Sequence, residues 1–125
     1  MRQLVYNATK CLDCGKTAVS YYTHDYQECG CPNRAMVDGG LDYGRYGAVN
    51  IERIEHIMVY DDDDFEKVRK YAFRGGRGKD GTEPLTFTPI CEMNDEWLKA
   101  VLEYGGTYWH LELIRKEIEY RKNNK

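Results

Sequence analysis

Four cysteines fall within 21 residues, as Cys11-x2-Cys14 and Cys29-x-Cys31, with 14 residues between the pairs. Two close pairs on knuckle-like turns can converge on one tetrahedral Zn²⁺. The first pair has the spacing of such a knuckle. The second is one residue shorter, which strains that geometry. Two readings of Cys11, Cys14, Cys29 and Cys31 therefore stand side by side: a structural zinc site, or four reduced and partly buried thiols without metal. A fifth cysteine makes the count odd. In a chain without a signal peptide, such clustering points to metal or reduced thiols ahead of disulfides. Cys91 stands alone and reads as a core residue.

The remaining composition bounds the class of protein. A chain of 125 residues suits a single domain spanning 1–125. Residues 1–10 contain no apolar core of a signal peptide, and no stretch approaches the length of a membrane span. A soluble protein that stays in the cytoplasm and makes no membrane contact is the expectation. The net charge of -3 argues against a DNA-coating role, which needs a basic excess to neutralise phosphates. Tyrosine supplies 11 of the aromatic residues, and its apolar ring with a polar tip suits half-buried sheet positions, interfaces and pockets alike.

Three consecutive blocks follow from local pattern. Residues 1–47 form a cysteine-containing β module: Gln3 to Tyr6 and the β-branched, aromatic run Thr17 to Thr23 favour strands, and Asp38-Gly39-Gly40 marks a turn. Residues 48–93 read as strand, helix, glycine-rich loop and strand. The strand ends in Asp61 to Asp64, which suit the capped, electropositive start of a helix carrying Phe65, Val68 and Ala72 on one face. Residues 94–125 read as a helical hairpin. Asn94 caps the first helix, Gly105-Gly106 ends it, and Thr107 starts the second. The predicted fold is α+β, with a small antiparallel sheet in the N-terminal and middle parts and a C-terminal helical hairpin.

Chemistry is sparse. His24-Asp25 is the one acid–base dipeptide that draws notice, and it is also a common turn. GxSxG, HExxH and Walker loops are all missing, so catalysis is not expected. The basic glycine-rich run from Arg74 through Arg77 to Lys79 is the best clue. Glycines let the backbone approach an anion, and the arginine fork matches phosphate oxygens. Phe73 and Phe87 flank the run and can stack on a base. A solvated loop without a ligand fits the same residues.

Two stretches carry a resemblance. His24-Asp25-Tyr26 through Cys29-x-Cys31 to Asp38-Gly39-Gly40-x-Asp42-Tyr43 resembles a small module common in phages of Gram-positive bacteria. Asp63-Asp64-Phe65-Glu66 through the Arg74 to Gly81 loop and Pro84-Leu85 to Met93-Asn94-Asp95-Glu96-Trp97-Leu98 resembles a second phage module. In this order they resemble the Thoeris anti-defence family, over about residues 11 to 120. The resemblance implies a phage-encoded sponge in the infected bacterial cytoplasm. It would bind the cyclic ADP-ribose isomer made by the TIR enzyme of the Thoeris system without cleaving it; some members of the family also bind cyclic di- or trinucleotides at separate sites. It further implies a homodimer or a hexamer built as a trimer of dimers. Under this reading Arg74, Arg77 and Lys79 meet the phosphates, Phe73 or Phe87 faces a base, and Arg34 and Arg115 are further ligand candidates. Holding a micromolar signal would need a dissociation constant near nanomolar, about -12 kcal/mol. The competing reading is a zinc-ribbon-like phage protein that binds nucleic acid or a host protein.

Overall fold

A computed structural model of the chain describes residues 2–78 and 80–124. The chain divides into two compact units, Met1–Tyr60 and Asp61–Lys125.

The first unit is organised around β1 (Leu4–Cys11), the middle strand of an antiparallel sheet flanked by β2 (Thr17–Val19) and β6 (Ile54–Tyr60). A second antiparallel sheet has the order β3 (Gln27–Glu28), β4 (Met36–Asp38), β5 (Arg45–Gly47). Val5, Ala8, Cys11, Ala35, Val37 and Val59 are wholly buried and form the core. Asn7, Thr9 and Ser20 are equally buried, so this core is unusually polar.

Asn7 accounts for much of that polarity. Its Nδ2 donates to the carbonyls of Asp38 and Gly40, both at 3.1 Å, and its Oδ1 lies 2.9 Å from His56 Nε2. A strand of the first sheet thus holds the turn that follows β4. Ser20 completes the clasp: its hydroxyl donates to the Asp25 carbonyl at 2.7 Å and accepts from Gly40 N–H at 2.8 Å. The turn itself requires glycine. Gly39 and Gly40 have φ of 99° and 54°, and a Cβ on either would run into the Tyr43 or Tyr22 backbone.

In the second unit, Asp64 caps α1 (Phe65–Tyr71) by accepting from Glu66 N–H. The chain turns at Ala72 into a two-stranded antiparallel sheet, β7 (Phe73–Gly76) with β8 (Thr86–Pro89). A short 3-10 turn, Ile90–Glu92, leads to α2 (Asp95–Tyr104). Asn94 Oδ1 accepts from Trp97 N–H at 2.7 Å to start α2, and Gly105 ends it with φ of 90°. The last helix, α3 (Tyr108–Asn123), packs on α2. Val68, Ile90, Met93, Leu98, Val101, Leu113 and Ile114 make the apolar core.

One antiparallel sheet shared by the N-terminal and middle parts, followed by a helical hairpin, is therefore not the arrangement found. Among the described residues the strands are divided among three separate small sheets, and three α-helices accompany them, the first between β6 and β7 in the chain. Helix and strand take similar shares, 32% and 28%, so the layout is broadly mixed α and β. The physical reason for the division is strand length. β2 to β5 are two or three residues each, cut short by the cysteine turns and the Asp38-Gly39-Gly40 turn, and in chain order α1 separates β6 from β7. None of the described helices is long and apolar enough to cross a membrane.

Candidate metal centre

Cys11 is the last residue of β1, and the chain reverses at once after it. Gly15 N–H donates to the Cys11 carbonyl at 2.8 Å, and Cys11 N–H donates to the Lys16 carbonyl at 2.9 Å. Gly15, with φ of 77°, permits the reversal. Cys14 is thereby presented on the exposed tip and Cys11 on the buried base. The second turn is closed in a related way. Cys29 N–H donates to the Ala35 carbonyl at 2.9 Å, and Arg34 N–H donates to the Cys31 carbonyl at 2.9 Å. The missing residue of the short Cys29-x-Cys31 pair is accommodated by backbone conformation: Gly30 has φ of 88° and Arg34 φ of 53°. An added Cβ on Gly30 would meet open space, so the demand there is for the left-handed backbone rather than for room.

The two turns bring all four thiols together. The sulfurs of Cys11, Cys14, Cys29 and Cys31 lie within 4.8 Å of one another. Cys11 Sγ is 3.5 Å and Cys29 Sγ 3.4 Å from Cys31 Sγ. A disulfide needs about 2.05 Å, and all four are free thiols. Tetrahedral zinc with bonds of about 2.3 Å separates its sulfurs by roughly 3.8 Å, a value inside the range found here.

The surroundings suit a thiolate cluster. The Cys14 amide hydrogen-bonds the Cys11 sulfur and, against burial, lowers that thiol to about 6; the Cys31 thiol and Asp13 amide add to the effect. Cys29 is lowered as well, burial opposing and the Cys31 amide and thiol prevailing. Cys31 is raised to about 12: the Asn33 amide pulls it down, but the Cys29 thiol, burial and the Cys11 and Cys14 thiols outweigh it. Backbone N–H groups aimed at sulfur stabilise the thiolates that a metal requires, and the crowding of four sulfurs holds the proton on Cys31. A divalent cation resolves that conflict.

Each turn is also held from outside. Leu12 N–H donates to the Arg53 carbonyl at 2.9 Å, and the Arg53 Nε donates to Asp13 Oδ1 at 2.9 Å. Asn33 braces the second turn, accepting from Asn50 N–H at 2.7 Å on its Oδ1. Ala35 and Ile54 pack apolar surface against Cys11, Cys29 and Cys31.

The other candidates are dispersed. Arg34 projects from the second cysteine turn and is paired with Glu28 through Nε at 3.1 Å and Nη2 at 3.2 Å. Phe73, Arg74, Arg77 and Phe87 belong to the β7–β8 hairpin, where the two phenyl rings meet edge to face at 5.5 Å. Arg74 and Arg77 have no ion-pair partner among the described residues. Lys79 lies outside them. Arg115, on α3, is bound to Glu112 at 2.8 Å. Asp25 is taken up by its own loop, accepting from Tyr21 N–H at 2.9 Å and Gln27 Nε2 at 2.7 Å. The sequence reading missed two side chains of note. His110 is 7% exposed with no partner for its Nε2, and Glu117 is fully buried among arginines. Only the i, i+4 spacing of Glu117 and Arg121 offered a signal for the second.

Among known proteins, residues 3–48 are similar to a family described as a domain of unknown function (DUF7695). No curated protein and no solved structure matches the chain. The matched segment spans 46 of 125 residues, which includes both cysteine turns and the Asp38-Gly39-Gly40 turn, and it stops before β6 closes the first sheet.

Proposed function

We propose that this chain is a binding protein rather than an enzyme, and that its first unit is stapled by a structural zinc ion on Cys11, Cys14, Cys29 and Cys31. The observation that carries the proposal is the convergence of the four sulfurs within 4.8 Å on two hydrogen-bonded turns. Four protein thiolates fill a tetrahedral shell and leave no position for water or substrate, which is the signature of a structural site. A unit of this size, with a core that includes Asn7, Thr9 and Ser20, has little apolar surface to bury. Structural zinc in small peptides contributes about 10–16 kcal/mol at neutral pH. Such a staple makes the unit a rigid platform for recognition. The net charge of -3 favours a protein partner over a nucleic acid. The test is metal content of protein purified without added metal, followed by cobalt substitution. One zinc per chain and the intense visible bands of tetrahedral cobalt thiolate are expected. Metal-free protein with an unchanged fold would refute the staple.

A second reading has its own support. Arg74 and Arg77 sit on one hairpin with Phe73 and Phe87, and neither guanidinium is occupied by a carboxylate among the described residues. That supports the resemblance-based proposal that the chain sequesters a cyclic ADP-ribose isomer without cleaving it. Calorimetry with that isomer, then heat denaturation and analysis of the released nucleotide, tests it. Tight binding with intact release is the expected result. Absence of binding sinks this reading and leaves the zinc proposal intact.

A further inference from the structure

The Gly105-Gly106-Thr107 link between α2 and α3 brings three features to one place within the second unit. Around the point where a Cβ on Gly106 would stand, Arg74 Nη1 is at 3.6 Å and the His110 ring carbon Cδ2 at 3.8 Å. Cδ2 is bonded to Nε2, and that nitrogen is buried with no hydrogen-bond partner. The third feature is the start of α3. Thr107 occupies the N-cap position, and its side chain makes no capping bond. The N–H groups of Tyr108, Trp109 and His110 have no acceptor within the helix by geometry, and the helix dipole is positive there.

Each feature alone has an ordinary explanation, but together they lack one. A helix of 16 residues usually satisfies its first N–H groups with a side-chain oxygen. Here the three nearest neighbours of the Gly106 Cβ position are the Arg74 guanidinium, the His110 imidazole and the Leu111 methyl Cδ2, at 3.6 to 3.8 Å. His110 occupies the third position of α3, and helical side chains point back toward the N-terminus, so its ring covers the first turn. Burial, with the Arg74 charge second, holds His110 at about 4. The imidazole is thus neutral, with one ring nitrogen that donates and one that accepts, and the Arg74 guanidinium and the first amides of α3 add donors. Gly106, lacking a Cβ, leaves room there for about a methyl group.

We propose that the N-terminus of α3, with Arg74 and the Nε2 of His110, forms a pocket for the phosphate group of a small molecule. Arg74 supplies the forked charge, the Tyr108 to His110 amides supply preoriented donors, and His110 donates from Nε2. The Trp109 ring meets that of His110 edge to face at 5.6 Å. The inference rests on the nucleotide reading only for the identity of the molecule that carries the phosphate, and it names the groups that would hold it. Phe73, Phe87 and Arg77, on the same hairpin as Arg74, would then meet the remainder of the ligand.

Inorganic phosphate and inorganic pyrophosphate are the probes, titrated into isotope-labelled full-length protein and followed by NMR. Saturable shifts of the His110 ring and of the Tyr108, Trp109 and His110 amides are expected. Arg74→Gln should weaken binding tenfold or more, by about 1.4 kcal/mol. Gly106→Ala fills the pit against ordinary van der Waals neighbours at 3.6 to 3.8 Å, so it folds and should weaken binding as well. Absent shifts, or shifts equal in both variants and wild type, overturn the pocket. Phosphate binding without binding of the cyclic ADP-ribose isomer keeps the pocket and removes the nucleotide reading. Nucleotide binding undiminished by Arg74→Gln does the reverse.

Discussion

Arg69 donates from Nε and Nη2 to the two carboxylate oxygens of Glu117, each at 2.8 Å, and the Glu117 side chain has no exposed surface. Arg121, one turn further along α3, adds a third bond to Glu117 at 2.7 Å and reaches Asp95 at 2.9 Å. Its Nη2 also donates to the carbonyls of Ile90 and Cys91. One buried carboxylate therefore ties α1, the 3-10 turn, α2 and α3 into a single polar joint.

Replacing Glu117 by Ala should cost about 3–5 kcal/mol, because two partly buried guanidinium groups lose their counter-charge. Urea unfolding of wild type and variant measures it. A paired replacement, Arg69→Met with Glu117→Leu, should recover most of the loss, since an apolar pair of similar volume avoids the desolvation of both ions. If the single variant matches wild type, the joint is not a source of stability.

Chelation should act on the first unit alone. If zinc joins the two cysteine turns, removing it under reducing conditions leaves Cys11, Cys29 and the short strands β2 to β5 without their closure, while the second unit buries Val68, Ile90, Met93, Leu98, Val101, Leu113 and Ile114 in a core of its own. NMR should show resonances of residues 2–60 collapsing and those of α1 to α3 persisting. Cys29→Ser should reproduce the effect, since a hydroxyl is a poor ligand for structural zinc. Uniform loss of both units, or no loss in either, contradicts this division.

The parts legible in the sequence are those set by short-range chemistry. The cysteine pairs announce their turns through spacing, and Asp64 and Asn94 announce helix starts because a cap acts within three residues. The division into three sheets was not legible. Strands such as Gln27–Glu28 are too short to show a two-residue alternation, and pairing between β1 and β6 joins residues about fifty positions apart. Nor were the buried polar residues legible. Asn7 interrupts a run of strand formers, and Glu117 sits in a helix dense with charge, so both look solvated. Arg34 and Arg115 look like ligand residues for the opposite reason, because a sequence does not display Glu28 or Glu112 beside them.

Asn7→Ala should loosen the Asp38-Gly39-Gly40 turn. The substitution strips a donor from the Asp38 and Gly40 carbonyls and an acceptor from His56, at a cost of about 1–3 kcal/mol for each buried group left unmade. Gly40→Ala should cost at least as much, because the added Cβ meets the Tyr22 backbone at a φ of 54°. Hydrogen exchange at Gly39 and Gly40 amides reads out both. Protection equal to wild type in Asn7→Ala would show that the turn holds without β1.

The pH dependence of the second unit follows from His110. Its folded value, lowered by burial and then by Arg74, is about 4 against an ordinary 6.5. Between those values the unfolded chain binds a proton that the folded chain does not, so stability rises with pH across that window. The contribution is complete above about pH 6.5 and is lost as the pH falls toward 4, at most about 3 kcal/mol for this one group. Urea midpoints of wild type and His110→Gln, measured across the window in buffer free of phosphate, isolate the term. The wild-type midpoint should fall more steeply than that of the variant as acid is added. Parallel curves would mean that His110 titrates near its ordinary value in the folded protein, and that burial and Arg74 do not hold it neutral.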